Sequence, residues 1–365
     1  MLETPRERDR FIDTWRAIAI ILVAYWHYVD RLPQEVLYGE RAPSLPMQFG
    51  YLGVEIFFVI SAFLVAPAAA QAPSLAAFLA RRISRIWPLF VVASCFVFAV
   101  SLFVPAPVVA TGPQHFDASG RTLADLIGSI FLLKDLGFEW VDGAYWSILV
   151  EVKFYILLAL LLALFRARFT VALGVAAIVL GGLYLVCSTG AFVGAEAGRK
   201  VSALLIGPYL PFFAIGALLG TGQRSPLLTL NILMAITLVA LAMERQPEMS
   251  GPDTIRFLLV LGALLMADWL LLRQRATFWI ARYSFGIYLF HQVLGLTMLQ
   301  HLAPHMHPDA ALLATFAAIF GLAWAASQAA EYRFQPMMIR LLTPLLSIGA
   351  LARSGYAYKP SPERG

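Results

Sequence analysis

The sequence predicts an all-α polytopic integral membrane protein, a bundle of about ten transmembrane helices. Hydrophobic residues make up 60% of the 365 positions, whereas soluble domains contain roughly 45 to 50%. The apolar residues occur in runs of about 18 to 22, the length that a helix needs to cross the hydrocarbon core. Because the segments between these runs are short, the pattern excludes a single large soluble core.

The first apolar run, residues 11–29, follows a charged N-terminus and exceeds the roughly 7 to 15 residues of a signal-peptide core. It ends without the small residues of a cleavage site, so we interpret it as a retained first span. The following predicted spans cover residues 50–70, 87–104, 145–165, 169–187, 201–221, 226–243, 254–272, 277–298 and 309–329. Together they predict one membrane domain, residues 1–340, and a flexible cytoplasmic tail, residues 341–365.

The charges indicate how the spans are oriented. With a cytoplasmic N-terminus, 18 of the 27 lysines and arginines fall on the cytoplasmic side, when Arg16 and Arg282 near the cytoplasmic ends of their spans are included, and 7 fall on the outer side, in agreement with the positive-inside rule. The formal net charge of +5 is spread through short loops, which indicates topology and no nucleic-acid partner. Both termini are therefore expected in the cytoplasm, and membrane lipid surrounds the bundle.

The connection from residue 105 to 144 is the longest on the predicted outer side. Its semi-apolar stretch, residues 123–133, is too short to span and is expected to lie on the surface or to re-enter the membrane. The sequence shows no internal repeat and no interrupted helix pair.

Ionisable side chains inside a span are costly, which makes each one a candidate functional residue. Arg16 and His27 lie in the first span, within about 20 degrees of the same helical face and roughly 16 Å apart along the axis. An imidazole can take up and return a proton near neutral pH. The alternative is a histidine that only bonds to a neighbouring helix. Asp30 is placed to orient His27 one turn on.

Two arginines, Arg82 and Arg85, are one turn apart at the cytoplasmic entrance of the third span. A pair of guanidinium groups suits phosphate oxygens. Ordinary positive-inside flanking is the alternative interpretation.

Glu151 and Tyr155 are one turn apart in the fourth span, with Glu151 at about the depth of His27. The carboxylate can orient the imidazole or bind an acceptor hydroxyl. A charge pair with Lys153 is the alternative, although residues two apart on a helix do not face each other.

Two further spans carry candidate polar residues. Glu55 and Ser61 lie in the second span, and His291, a second intramembrane imidazole, lies in the ninth. Packing or hydrogen bonding is the simpler interpretation of His291.

The sequence gives little support for a metal site or a disulfide. Three histidines in a short outer loop have loose metal-ligand spacing but no evident partner ligand elsewhere, and the two cysteines lie in or beside apolar runs. These residues are His301, His305 and His307, and Cys95 and Cys187.

Taken in order, these stretches resemble the membrane acyltransferase-3 family, bacterial enzymes that O-acylate cell-surface glycans and some small molecules. Arg16 and His27 fit that family's Arg-x10-His signature, and Arg82 and Arg85 fit its Arg-x-x-Arg signature. Three further stretches match, residues 53–63, 146–155 and 284–291.

The resemblance implies an O-acyltransferase of the bacterial inner membrane with acyl-CoA, most often acetyl-CoA, as donor and a glycan hydroxyl as acceptor. It implies catalytic roles for His27, Glu151 and Arg16, and donor binding by Arg82 and Arg85. Substrate contacts are expected from Glu55, Tyr155 and His291. No metal and no permanently bound cofactor is expected.

The chain departs from the family pattern at several positions, and two rival functions remain. Glu55 stands where Asp is frequent, Ala62 where Gly is usual, and Lys153 where Gln is commoner. The serine-hydrolase-like domain that many relatives carry after the last span is not expected here. The rivals are a transporter of a glycan or lipid-linked sugar, with the same polar residues lining its path, and a structural assembly subunit.

Overall fold

The computed structural model describes residues 10–39, 41, 43, 50–109, 116–190, 194–244 and 275–347. The regular secondary structure of these residues is helical. Val109 and Phe116 form an isolated antiparallel β-bridge outside any strand. Five helical segments there are long and apolar enough to cross a membrane: Gly50–Ala70, Leu75–Ser101, Gly143–Ser188, Pro226–Met243 and Pro308–Ala330. The all-α, multi-pass class is confirmed, and the count of about ten spans stays a prediction.

The helices of the described residues are numbered here in chain order. They are α1 Arg10–Val29, α2 Gln34–Tyr38, α3 Gly53–Ala70, α4 Leu75–Ser101, α5 Leu123–Ile130, α6 Trp146–Phe165, α7 Phe169–Ser188, α8 Ala195–Leu204, α9 Leu210–Gly220, α10 Pro226–Glu244, α11 Arg275–Phe290, α12 Val293–Leu302 and α13 Pro308–Ser347. The predicted eighth span, residues 254–272, and residues 348–365 of the predicted tail lie outside the described residues. Helix α13 continues through residues 341–347, where the sequence predicts the start of the tail.

The described residues belong to two compact units. The first unit takes them from positions 10–56, 85–147 and 275–335, and the second from positions 57–84, 148–244 and 336–347. Helices α3 and α4 contribute residues to both units.

In the first unit, α1 packs along α11. Glycine allows close approach where α3 begins, because a Cβ at Gly53 would collide with the carbonyl oxygen of Ala19 and with Val23. Small residues at such contacts let helix backbones approach each other closely. Membrane helices associate through such close packing because lipid provides no hydrophobic driving force between them.

In the second unit, α7, α9 and α10 pack against one another. Gly216 and Gly220, spaced one turn apart on α9, lie against the backbone carbonyls of Val59 and Phe63 in α3. This is the small-xxx-small arrangement of closely packed membrane helices.

A two-residue break separates α11 from α12, so the prediction of one continuous ninth span, residues 277–298, is wrong. The amide of Val293 donates to Asp142 Oδ2 at 3.0 Å, and the carbonyl of Leu289 accepts from the Tyr145 hydroxyl at 3.2 Å. In a continuous helix that amide and that carbonyl would bond to each other. Tertiary partners satisfy both groups, which is the condition for breaking a helix in a membrane.

The predicted sixth span, residues 201–221, is also divided. Helix α8 ends at Leu204 and α9 begins at Leu210. Pro208 and Pro211 lack the amide hydrogens that an uninterrupted helix needs at these positions.

Helix α5 occupies the semi-apolar stretch of the long connection. Thr122 and Asp125 form a capping box at its start, and the Trp87 indole donates to the Ile130 carbonyl at 3.1 Å. Leu123 and Ile127 are exposed. The two-turn helix therefore lies on the surface of the first unit, as one of the two alternatives expected.

Candidate functional site

Two buried histidines from distant parts of the chain are in contact in the first unit. His27 lies in the third-last position of α1 and His291 lies in the break after α11. His291 Nε2 is 3.2 Å from His27 Nδ1, and the two rings meet edge to face at 87°. His27 is 8% exposed and His291 is fully buried.

Backbone carbonyls determine which ring nitrogens carry hydrogen. His27 Nδ1 lies 2.8 Å from the Val23 carbonyl oxygen, and His291 Nδ1 lies 2.6 Å from the Tyr288 carbonyl oxygen. A carbonyl oxygen only accepts, so each Nδ1 is the donor. A neutral imidazole carries one N–H, so His291 Nε2 is an acceptor that shares the His27 Nδ1 hydrogen with Val23.

This assignment leaves a lone pair at His27 Nε2. Within the described residues, the hydrogen bonds of His27 go from Nδ1 to Val23 and His291. The groups that hold His27 are thus a carbonyl and a second histidine, whereas sequence reasoning named Asp30 and Glu151 for this task. An unprotonated ring nitrogen is the group that proton abstraction or nucleophilic attack requires.

Tyr288, whose carbonyl holds His291, is itself fixed through its hydroxyl. That hydroxyl donates to the Ala144 carbonyl at 2.6 Å, so its contact with Ser147 Oγ at 2.6 Å has the serine as donor. Tyr288 and Ser147 are both buried. We call His27, His291, Tyr288 and Ser147 the histidine cluster.

The second unit contains a separate group of polar side chains, Ser61, Glu151 and Tyr155, which we call the carboxylate cluster. Glu151 Oε1 accepts from the Ser61 hydroxyl at 2.6 Å and from the Tyr155 hydroxyl at 2.5 Å. The two hydroxyl oxygens are 3.5 Å apart. The predicted one-turn spacing of Glu151 and Tyr155 on a helix is confirmed, and their side chains are hydrogen-bonded to each other.

Helix α4 adjoins the carboxylate cluster through residues one turn apart. The Phe78 ring meets the Tyr155 ring edge to face, with centroids 6.3 Å apart, and Arg82 interacts electrostatically with Tyr155. One of the two arginines that the sequence singles out therefore lies within electrostatic range of Tyr155, in the same unit as Glu151.

The remaining predicted site residues lie on the helices expected for them. Arg16 is partly buried on α1, Arg85 is exposed on α4, and Lys153 is partly buried on α6. Glu55 is partly buried on α3, and its Oε2 is buried with no hydrogen-bond partner in the described part of the chain.

The three histidines of the predicted outer loop do not converge, and His301 lies in the last turn of α12 instead of in a loop. His301 Nδ1 donates to the Thr297 carbonyl at 2.7 Å, and His307 lies 3.7 Å from the Asp309 carboxylate. No group of three His, Cys, Asp or Glu side chains suited to a metal ion occurs among the described residues. Cys95 and Cys187 are free thiols.

The sequence profile of a family described as an acyltransferase domain, acyltransferase-3, matches residues 9–328. The chain belongs to the acyltransferase-3 family. The match includes every residue of both clusters, and it confirms the family resemblance of the sequence motifs. No curated protein and no solved structure matches the chain.

Family membership makes this protein a membrane acyltransferase. Sequence reasoning had named His27, His291, Glu151 and Tyr155 as site residues, but it missed two features of the acyltransferase. One is the contact between the two imidazoles, which are 264 positions apart in the sequence and give no pairing signal. The other is Ser147 and Asp142 as supports of the histidine cluster, which only the tertiary contacts reveal.

Proposed function

We propose that this acyltransferase moves an acyl group, most often acetyl, from acyl-CoA to a hydroxyl of a cell-surface or exported glycan. The observation that supports this proposal most strongly is the unprotonated Nε2 of His27 in a chain of the acyltransferase-3 family. The proposed setting is the bacterial inner membrane, with acyl-CoA reaching the protein from the cytoplasm.

In the direct route, His27 acts as a general base. Its Nε2 takes the proton from the acceptor hydroxyl while the hydroxyl oxygen attacks the thioester carbonyl. The carbon–sulfur bond then breaks, and the CoA thiolate leaves with the proton that the imidazolium returns. The products are the glycan ester and the free CoA thiol.

A second route uses the same nitrogen as a nucleophile. His27 Nε2 attacks the thioester and displaces the CoA thiolate. The acceptor hydroxyl then attacks the acyl-imidazole carbonyl, the carbon–nitrogen bond breaks, and the hydroxyl proton passes to the thiolate, which gives the glycan ester and the free CoA thiol. Both routes need the lone pair at Nε2, so the geometry supports either. They differ in whether the protein carries the acyl group between two half-reactions.

The arginines on α4 are the proposed contacts for the donor phosphates. Arg85 is exposed and Arg82 is partly buried within electrostatic range of Tyr155, so guanidinium groups are present both at the surface and near the carboxylate cluster. Fixed guanidinium groups bind phosphate oxygens through paired hydrogen bonds. Arg16 is proposed to steady the donor.

The carboxylate cluster is the proposed contact for the acceptor. Glu151 Oε1 already accepts two hydroxyl hydrogens, which is the interaction that a sugar hydroxyl would make. Tyr155, Glu55 and His291 were proposed from sequence as further substrate contacts, and the unpartnered Glu55 Oε2 supports this for Glu55.

The transporter alternative needs an interrupted helix whose free backbone groups bind cargo. The break between α11 and α12 is one such interruption, as is the break between α8 and α9, but in the former an amide and a carbonyl are already bound by side chains of the protein. Asp142 accepts from the amide of Val293, and Tyr145 donates to the carbonyl of Leu289. Together with the family match, this favours the acyltransferase.

The test uses the full-length protein in lipid vesicles with acetyl-CoA, with and without polysaccharide extracted from the producing bacterium. Wild type should release CoA thiol and place acetyl esters on the polysaccharide. His27→Gln should lower the rate about 10²- to 10⁴-fold, the range of a lost general base. His301→Gln, at the exposed end of α12, is the matched histidine control and should retain wild-type activity.

Two outcomes decide the proposal. Full transfer by normally inserted His27→Gln, or sugar flux without any release of CoA thiol, would overturn it. Radiolabelled acetyl that stays on wild type but not on His27→Gln would assign the acyl-imidazole route, and its absence with rapid transfer would assign the direct route.

A further inference from the structure

His291 belongs to the candidate site, yet its polar atoms are directed at protein groups. Its Nδ1 bonds to the Tyr288 carbonyl and its Nε2 to His27 Nδ1. Both ring nitrogens are thus occupied within the protein, and the side chain is fully buried. A substrate contact would require one of these nitrogens to be released.

We propose that His291 is a positioning residue that keeps His27 in the Nδ1–H form and so keeps the reactive lone pair on Nε2. This inference rests on the proposed function and replaces direct substrate contact as the role of His291. The geometric basis is a chain of two hydrogen bonds. His27 Nδ1 donates to His291 Nε2, and His291 Nδ1 donates to the Tyr288 carbonyl.

The opposite tautomers, with hydrogen on Nε2 and not on Nδ1, are unfavourable for both His27 and His291. They would place the lone pair of His27 Nδ1 against the Val23 carbonyl oxygen at 2.8 Å, and that of His291 Nδ1 against the Tyr288 carbonyl oxygen at 2.6 Å. Buried acceptors facing each other without a hydrogen lose their hydrogen-bond energy. Each carbonyl therefore selects the same form of the pair.

The break between α11 and α12 is fixed in place around His291. Asp142 accepts from the amides of both Ala144 and Val293, at 2.9 and 3.0 Å, which ties the start of α12 to the turn that precedes α6. Because Tyr288 donates to the Ala144 carbonyl, both sides of the break are held by the same turn. His291 accordingly has little freedom to move away from His27.

The pair also suits a reversible proton transfer. When His27 Nε2 takes the acceptor proton, the Nδ1 hydrogen remains shared between Val23 and the neutral His291 Nε2. No proton passes to His291, so the proton on Nε2 is available to the CoA thiolate. A neutral acceptor stabilises an imidazolium less than a carboxylate does, which favours its return.

Two isosteric substitutions separate positioning from packing. In His291→Gln the amide oxygen can reach the place of Nε2 and accept from His27. In His291→Asn the amide can keep the bond to the Tyr288 carbonyl but does not reach His27. We expect kcat to fall about 10- to 100-fold in His291→Asn and less than about 5-fold in His291→Gln, with the KM for acetyl-CoA unchanged in both.

The second readout is ¹⁵N NMR of histidine-labelled protein, assigned by comparison with His27→Gln. Wild type should show a protonated Nδ1 and an unprotonated Nε2 for His27, and His291→Asn should show both ring forms. Because the wild-type spectrum needs no variant at position 291, it tests the proposal even if those variants fold poorly.

The results distinguish this proposal from the proposed function. An unchanged kcat in His291→Asn, equal losses in the Asn and Gln variants, or a protonated Nε2 in wild type would overturn the positioning role. An active His27→Gln would instead overturn the proposed function.

Discussion

The histidine cluster and the carboxylate cluster differ in what fixes their hydrogens. In the histidine cluster, the Val23 carbonyl and the His291 ring, which the Tyr288 carbonyl holds, together set the ring form of His27. In the carboxylate cluster, two side-chain hydroxyls donate to one oxygen of Glu151. A carbonyl in a helix cannot turn, whereas a hydroxyl can rotate its hydrogen to another acceptor.

From this difference we propose that the two clusters do different kinds of work. The histidine cluster is buried and holds a lone pair on a single atom, as a base or nucleophile requires. The carboxylate cluster is partly buried and presents a charge whose partners can be exchanged, as a binding group for a hydroxyl requires. The following predictions test this division.

The largest expected effect comes from combining His27→Gln with Glu151→Gln. Glu151→Gln alone should lower the transfer rate about 10- to 100-fold, because a hydrogen bond to a charged group contributes about 1.5 to 3 kcal/mol. If both clusters serve the same chemical step, the double variant should be little slower than His27→Gln alone. Initial rates of CoA thiol release measure all four proteins.

If the fold-losses of the two single variants multiply in the double variant, a shared step is contradicted, because the free-energy effects of independent sites add. The KM for the acceptor adds a further criterion. It should rise in Glu151→Gln and stay at the wild-type value in His27→Gln.

A smaller effect is expected where glycines support the two clusters. An alanine at Gly53 would collide with the Ala19 carbonyl in the first unit, and one at Gly216 with the Val59 carbonyl in the second. Each substitution should lower the free energy of unfolding by about 1 to 3 kcal/mol, the usual cost of overpacking. Thermal unfolding in detergent measures the loss.

Gly321→Ala is the matched control, because a Cβ at that position in α13 has no atom within 4 Å. It should leave the transition unchanged or raise it slightly, as alanine favours a helix over glycine. A loss as large as that of Gly53→Ala would show that the close backbone approach is not the cause.

The smallest effect concerns Asp142, which anchors the break beside His291. Burial raises the pKa of its carboxyl to about 7, against the opposing effect of two backbone amides, whereas an unfolded aspartate has a pKa of about 3.9. The folded protein thus binds the proton more tightly. The contribution to stability is full below about pH 4 and is lost as the pH rises through about 7.

The unfolding temperature should therefore be higher at pH 5 than at pH 8, by a difference on the order of a few °C. Asp142→Asn, which cannot ionise, should lose that part of the difference. If the variant keeps the full difference between pH 5 and pH 8, that difference arises from groups other than Asp142.

Particular residues show how much of the site the sequence predicted. The pairing of Glu151 with Tyr155 was predictable because both lie on one helix at a spacing of four, which the helical repeat converts directly into contact. His27 was singled out because an imidazole inside an apolar run has a high cost in lipid. Arg82 was singled out because it lies one turn from Arg85 at the entrance of a predicted span. The family match over residues 9–328 confirms the class of enzyme that these motifs indicated.

The sequence by itself thus determined the membrane class, most helices and the identity of the candidate residues, since each depends on local periodicity and on the solvation cost of single side chains. Only the tertiary structure decided the pairing of His27 with His291 and the break that makes it possible. A helix continues by default unless outside groups take over its backbone bonds. Here those groups are Asp142 and Tyr145, which lie far from the break in sequence, so no local pattern could reveal them.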